Sequence, residues 1–128
     1  MNALVIEGTP KTPRVEFNAD SGALELSGKS IPENSVEFYQ PIYNWLDQYK
    51  DQPSKTTSIK VQLEYFNTSS SKCLLDIFKK LEVVQKSGKS EVTVIWMYEE
   101  EDEDMMEAGE DYQSIVKIPF QLTRIMVE

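Results

Sequence analysis

The sequence predicts an α/β domain, a mixed sheet of about five strands with helices packed on it. Three observations carry this. Segments that alternate apolar and polar residues, as half-covered strands do, take turns with segments whose apolar residues recur every three or four positions. Each helical segment lies between two strand segments, the order that builds parallel βαβ units. The chain has 128 residues, 40% of them apolar and 27% charged, which suits one globular domain spanning 1–128 with a core of its own.

Taken in order, Arg14–Asn18 alternates with Val15 and Phe17 on one side, and Ala19-Asp20-Ser21-Gly22 turns the chain. Leu24 and Leu26 resume the alternation, so an antiparallel hairpin closes at Gly28. Pro32-Glu33-Asn34-Ser35 offers a helix start, and Val36, Phe38, Tyr39, Ile42, Trp45, Leu46 and Tyr49 follow at helical spacing. Pro41, inside that run, is expected to kink the helix or to open its second half. Thr57–Phe66 is a strand with one covered face, formed by Ile59, Val61, Leu63 and Tyr65. Leu74, Ile77, Phe78, Leu81 and Val84 stripe the next helix, which begins among hydroxyls and stops near Ser87-Gly88. Ser90–Tyr98 is nearly all apolar or β-branched, which predicts an inner strand covered on both faces. A helix over Met105–Val116 and a strand over Phe120–Val127 complete the chain. Two right-handed βαβ crossovers then lay the last three strands parallel, with the hairpin as an antiparallel margin.

Composition removes several functions. The sequence has no histidine and one cysteine, so it holds no Ser-His-Asp triad, Cys-His pair, His-based zinc site, intrachain disulfide or CxxC pair. No Gly-rich phosphate loop appears. The formal net charge of −9 is local: Glu99, Glu100, Glu101, Asp102, Glu103, Asp104, Glu107, Glu110 and Asp111 leave 13 acids against 13 bases elsewhere. A patch of that sign repels phosphate backbones and anionic lipid, which argues against nucleic-acid binding and membrane insertion. The N-terminus lacks a signal peptide's positive region and apolar run, and the expected address is the cytoplasm.

Two stretches hold the candidate chemistry. Asn67-Thr68-Ser69-Ser70-Ser71-Lys72 joins the carboxyl end of a strand to the start of a helix. Capping of the helix needs a single side chain, worth about 1 kcal/mol. The surplus of hydroxyls also fits an anion or phosphorylation site, because free N–H groups and the macrodipole favour negative charge there. Lys72, one turn on, would reach such a phosphate. The acidic run Glu99–Asp111 reads as a solvated face, as a docking surface for a basic partner, or as hard oxygen ligands for Mg²⁺ or Ca²⁺. The metal reading, with a small metal-dependent enzyme as its extension, lacks the EF-hand spacing and glycine. Cys73, placed in the first turn of its helix, reads as a small core residue.

Leu63-Glu64-Tyr65-Phe66-Asn67-Thr68-Ser69-Ser70-Ser71-Lys72 resembles the signature of the SiaC family of bacterial regulatory phosphoproteins. Trp96-Met97-Tyr98 running into Glu99–Asp104 and then Met105–Tyr112 is similar too, as are Pro32-Glu33-Asn34, Phe38–Ile42 and Trp45-Leu46. The likeness covers about residues 12–126. It implies a STAS-like fold, that of anti-sigma factor antagonists, and a non-enzymatic partner-switching role without a cofactor. Thr68 would be the phosphorylated residue, with Ser69 the runner-up. The implied partners are a SiaB-like Ser/Thr protein kinase, a SiaA-like PP2C-type phosphatase and a SiaD-like diguanylate cyclase. The unphosphorylated protein would activate that cyclase and so promote cyclic di-GMP signalling, aggregation and biofilm formation.

Overall fold

The computed structural model describes residues 1–126. Its elements are β1 (Leu4–Ile6), β2 (Arg14–Asn18), β3 (Ala23–Ser30), α1 (Ser35–Tyr49), β4 (Thr56–Phe66), α2 (Thr68–Lys86), β5 (Glu91–Glu99), α3 (Glu103–Ile115) and β6 (Phe120–Ile125). The six strands form one sheet in chain order, β1 to β6. β1–β2 and β2–β3 pair antiparallel, whereas β3–β4, β4–β5 and β5–β6 pair parallel.

The mixed sheet with packed helices matches the expectation, and four details differ. β1 is a sixth strand, three residues long and too short to show a period. β3 is at once the second strand of the hairpin and the first strand of a third βαβ unit, so four strands run parallel instead of three. It also runs through a bulge at Gly28/Lys29 to Ser30 instead of ending at Gly28. The expected last strand reached Val127; β6 ends at Ile125, and Val127 lies outside the described residues.

The register explains the core. Leu4, Phe17, Leu24, Ile59, Val94 and Phe120 form one row across all six strands. Ile6, Val15, Leu26, Val61, Trp96 and Leu122 form the next row on the same face. The helices settle on this face: Trp45 of α1 packs its ring against Phe17, Phe78 of α2 against Trp96 and Phe120, and Tyr112 of α3 against Trp96. Crossovers of one hand that all step in the same direction place their helices on the same side.

The other face of the sheet therefore carries no helix, which overturns the expectation that β5 is covered on both sides. Val92, Val94 and Trp96 are buried, while Thr93, Ile95 and Met97 are only half-buried. Tyr65, expected among the covered residues of β4, is 57% exposed because the register shift opposite Gly28/Lys29 reverses the alternation: Tyr65 pairs with Lys29, and Phe66 turns to the core instead, its ring against Trp96. α1 runs unbroken through Pro41, which sits on its exposed face, so the missing N–H leaves the Glu37 carbonyl to solvent.

Candidate functional site

Asn67 follows the last residue of β4 and caps α2. Its Oδ1 accepts from the Ser70 N–H at 2.9 Å and from the Ser69 Oγ at 3.1 Å, and its extended backbone (φ −84°, ψ 175°) is that of an N-cap. One side chain thus suffices for the cap, and the surplus hydroxyls take other roles. Ser70 is fully buried; its Oγ donates to the Ser30 carbonyl (3.0 Å) and accepts from the Ser30 Oγ (2.8 Å), itself 2.6 Å from the Tyr39 hydroxyl. Ser69 shares a 2.6 Å hydrogen bond with Ser35, the first residue of α1. The Ser71 Oγ lies 3.0 Å from the Tyr112 hydroxyl of α3, which donates to the Ser71 carbonyl at 2.8 Å.

Thr68 differs from these three. It is the first residue of α2, it is exposed, and its hydroxyl has no hydrogen-bond partner among the described residues. Its N–H and that of Ser69 lie in the first turn, where a helix offers no internal acceptor. Lys72 is exposed on the second turn, and Cys73 lies one turn further in than expected, 6% exposed in the core.

The phenols that brace this corner are held neutral. Burial pushes Tyr39 up to about 12 against the opposing hydrogen bond from Ser30. Burial likewise raises Tyr112, with its bond to Ser71 again opposing. Burial also raises Tyr43, aided by the neighbouring Cys73 side chain, and its hydroxyl donates to the Cys73 carbonyl at 3.1 Å. Helical spacing marks Tyr39 as a core residue and says nothing of its hydroxyl. The hydroxyls of Tyr43 and Tyr112 meet partners 30 and 41 residues away, which no local pattern reveals.

Of the acidic run, Glu99 ends β5, Glu100 and Glu101 turn the chain, and Asp102 caps α3, its Oδ1 accepting from the Met105 N–H at 3.0 Å. Glu103 and Asp104 follow in the first turn, where the helix dipole favours them. Part of the run thus has a local structural cause. Among the described residues no three carboxylates or thiols come close enough to hold a metal ion, so the metal-dependent alternative gains no support from geometry. β4 and β5 are parallel neighbours, so the Asn67–Lys72 corner and the acidic turn leave the same edge of the sheet.

Fold and edge together define a class: a small mixed α/β domain whose polar edge is built of hydroxyls and carboxylates. The family model for SiaC family regulatory phosphoprotein matches residues 6–125, and the chain belongs to that family. An uncharacterised protein of Pseudomonas aeruginosa strain UCBPP-PA14 is 30% identical over 122 residues, which cover 95% of this chain and 96% of that protein. The structure of SiaC of Pseudomonas aeruginosa superposes with a TM-score of 0.87 at 28% identity, over 98% of this chain and 100% of that one. A chain in the crystal structure of the diguanylate cyclase SiaD in complex with its activator SiaC, also from Pseudomonas aeruginosa, gives a TM-score of 0.88 at 30% identity. That match covers 95% of this chain and 99% of the other. Among the described residues no helix is long and apolar enough to cross a membrane.

Proposed function

We propose that this chain, acting as one domain in the cytoplasm, is a phosphorylation-controlled activator without enzymatic activity of its own. In its unphosphorylated form it docks on and activates a diguanylate cyclase, and phosphorylation of Thr68 abolishes the docking. A Ser/Thr protein kinase installs the phosphate and a PP2C-type phosphatase removes it, as in the partner switching of STAS-like antagonists. The cyclase is argued from the similarity to an activator that is bound to such an enzyme. The cyclic di-GMP made by the cyclase then drives aggregation and biofilm formation.

One observation carries the choice of residue. In the run Thr68–Ser71, Thr68 alone is exposed with a hydroxyl that no described residue engages, whereas Ser69, Ser70 and Ser71 each hold a neighbouring element in place. A kinase needs an acceptor that it can reach without dismantling the helix start. Ser69 is exposed but bonded to both Ser35 and Asn67, which makes it the second choice. A phosphate at the first helical position would carry about −1.5 to −2 charges into a place that favours them. The fold is therefore retained while the docking surface becomes charged.

The test is intact mass after incubation with ATP and the cognate kinase, then peptide mapping. A single phosphate on Thr68, absent from Thr68→Ala, is the expected result. In parallel, Thr68→Asp keeps the circular dichroism spectrum and loses the cyclase, while Thr68→Ala keeps both. Tight binding of the cyclase by Thr68→Asp would sink the reading.

A further inference from the structure

The sheet comes apart in one place. β4 pairs with β5 only from Thr56↔Glu91 to Val61↔Trp96. Beyond that point β4 stays with β3 as far as Ser30↔Phe66, and β5 stays with β6 as far as Glu99↔Ile125. Between the separating halves lies a cleft of about 540 Å³, within the size range of ligand-binding pockets. One wall is Gln62 and Glu64 of β4, and the other is Met97 and Glu99 of β5, with Ile125 of β6 and Asp102 at the far side.

The side chains that line it are those of a contact surface. Gln62, Met97, Glu99 and Ile125 point to the helix-free face of the sheet, opposite to the rows that form the core. Ile95, Met97 and Ile125 are apolar, half-buried and covered by no other layer of the described chain, and this explains why β5 reads as a doubly covered strand. An apolar strip rimmed by polar groups on an open sheet face is what protein interfaces are made of. The rim is negative: Glu64, Glu99 and Asp102 line the cleft and no cation does. Glu64 and Glu99 form no ion pair among the described residues; Glu100 is paired with Arg124 at 3.9 Å, and the acids from Glu101 to Asp104 continue the same field.

We propose that this cleft docks a segment of a protein partner that carries arginine or lysine beside aliphatic side chains. The aliphatic groups, with the stems of the basic residues, cover Met97 and Ile125 while the cationic heads meet Glu64 and Glu99. A second copy of this chain is a poor occupant, because it would bring the same carboxylates face to face. The inference rests on the reading that the chain works by docking a protein, but it does not require Thr68 to be phosphorylated.

The test is a titration of the intact ¹⁵N-labelled protein, followed by amide shifts. The probes are three blocked octapeptides that alternate Arg with Val, Arg with Ser, and Glu with Val. The Arg-Val peptide is expected to saturate, with the largest shifts at Gln62–Glu64 and Met97–Glu99. The Arg-Ser peptide should bind at least fivefold more weakly, and the Glu-Val peptide not at all. Glu64→Gln with Glu99→Gln, both on exposed residues, should weaken the Arg-Val peptide at least fivefold without changing the circular dichroism spectrum. Equal binding of the Arg-Val and Arg-Ser peptides, shifts spread only along Glu103–Asp111, indifference to the double variant, or no binding would each overturn the proposal. Failure of the Thr68 switch would appear elsewhere, as cyclase binding by Thr68→Asp, which this titration does not measure.

Discussion

Ser70→Ala and Thr68→Ala each remove one hydroxyl from the first turn of α2, yet their effects on stability should be far apart. The Ser70 Oγ is fully buried and makes two hydrogen bonds with Ser30, at 2.8 and 3.0 Å. Its loss leaves the Ser30 hydroxyl with Tyr39 as its only side-chain partner, while the Ser30 carbonyl keeps the Asn67 N–H at 3.0 Å. Two bonds of about 0.5–1.5 kcal/mol each put the cost at about 1–3 kcal/mol. Thr68 is exposed and makes no such bond, so its replacement should stay within about 0.5 kcal/mol. Urea unfolding followed by circular dichroism separates the two, provided that the slopes with denaturant agree. Between-variant differences of 1 kcal/mol correspond to roughly 2–8 °C in Tm, so thermal scans are an independent check. Equal costs for the two variants would refute the reasoning. The hydroxyls of the run would then be equivalent, and the geometric argument for Thr68 would be gone.

Two further outcomes follow from the packing and from the phenols. A Cβ at Gly109 would lie 2.5 Å from Cδ1 of Trp96 and 2.7 Å from Cδ2 of Leu122, and Trp96 is pinned by the bond from its Nε1 to the Met105 carbonyl at 2.9 Å. Overpacking of about 1–3 kcal/mol should outweigh the roughly 1 kcal/mol gained in helix propensity, so Gly109→Ala lowers the urea midpoint; a raised midpoint would contradict this close approach. Because the folded-state value for Tyr39 lies above the ordinary 10, its contribution is fully present below pH 10 and is lost as pH rises toward 12. Tyr112 is shifted in the same direction. Stability should therefore decline between pH 10 and 12, by about 2–3 kcal/mol from Tyr39, and Tyr39→Phe should flatten the slope; an unchanged slope in that variant would rule out this origin.

The parts that were legible in the sequence are those written in local periodicity. The hairpin turn at Ala19–Gly22, the stripe of α2, the stripe of α1 apart from its first residue Val36, which is exposed, and the alternation of β4 as far as Leu63 fall where spacing puts them. β5 was misread for a physical reason. Val92, Val94 and Trp96 face the helices, but Ile95 and Met97 are apolar as well, and alternation is lost when both faces are. A strand doubly covered within its own domain and one that keeps a half-covered apolar face leave the same run of residues. The corner around Thr68 was half legible. Asn67 and the hydroxyls announced a helix start, whereas Ser30, Ser35, Tyr39 and Tyr112 come from three other elements and share no pattern with it. Only the folded chain separates the bonded hydroxyls from Thr68.

The three helices treat their first turns differently, and this bears on how a switch at Thr68 would work. α1 carries Glu37 there and α3 carries Glu103 and Asp104, while α2 has no acidic residue in its first turn. The macrodipole of α2 is thus left without a negative side chain at the position where one is worth about 0.3–1 kcal/mol. A carboxylate or phosphate at Thr68 would supply it, so Thr68→Asp should be slightly more stable than the parent chain. Loss of the partner by a variant that has gained stability cannot be ascribed to damage of the fold. A variant that lost both would point instead to a switch that acts by unravelling the helix start, with Ser69 releasing Ser35 and with it the beginning of α1.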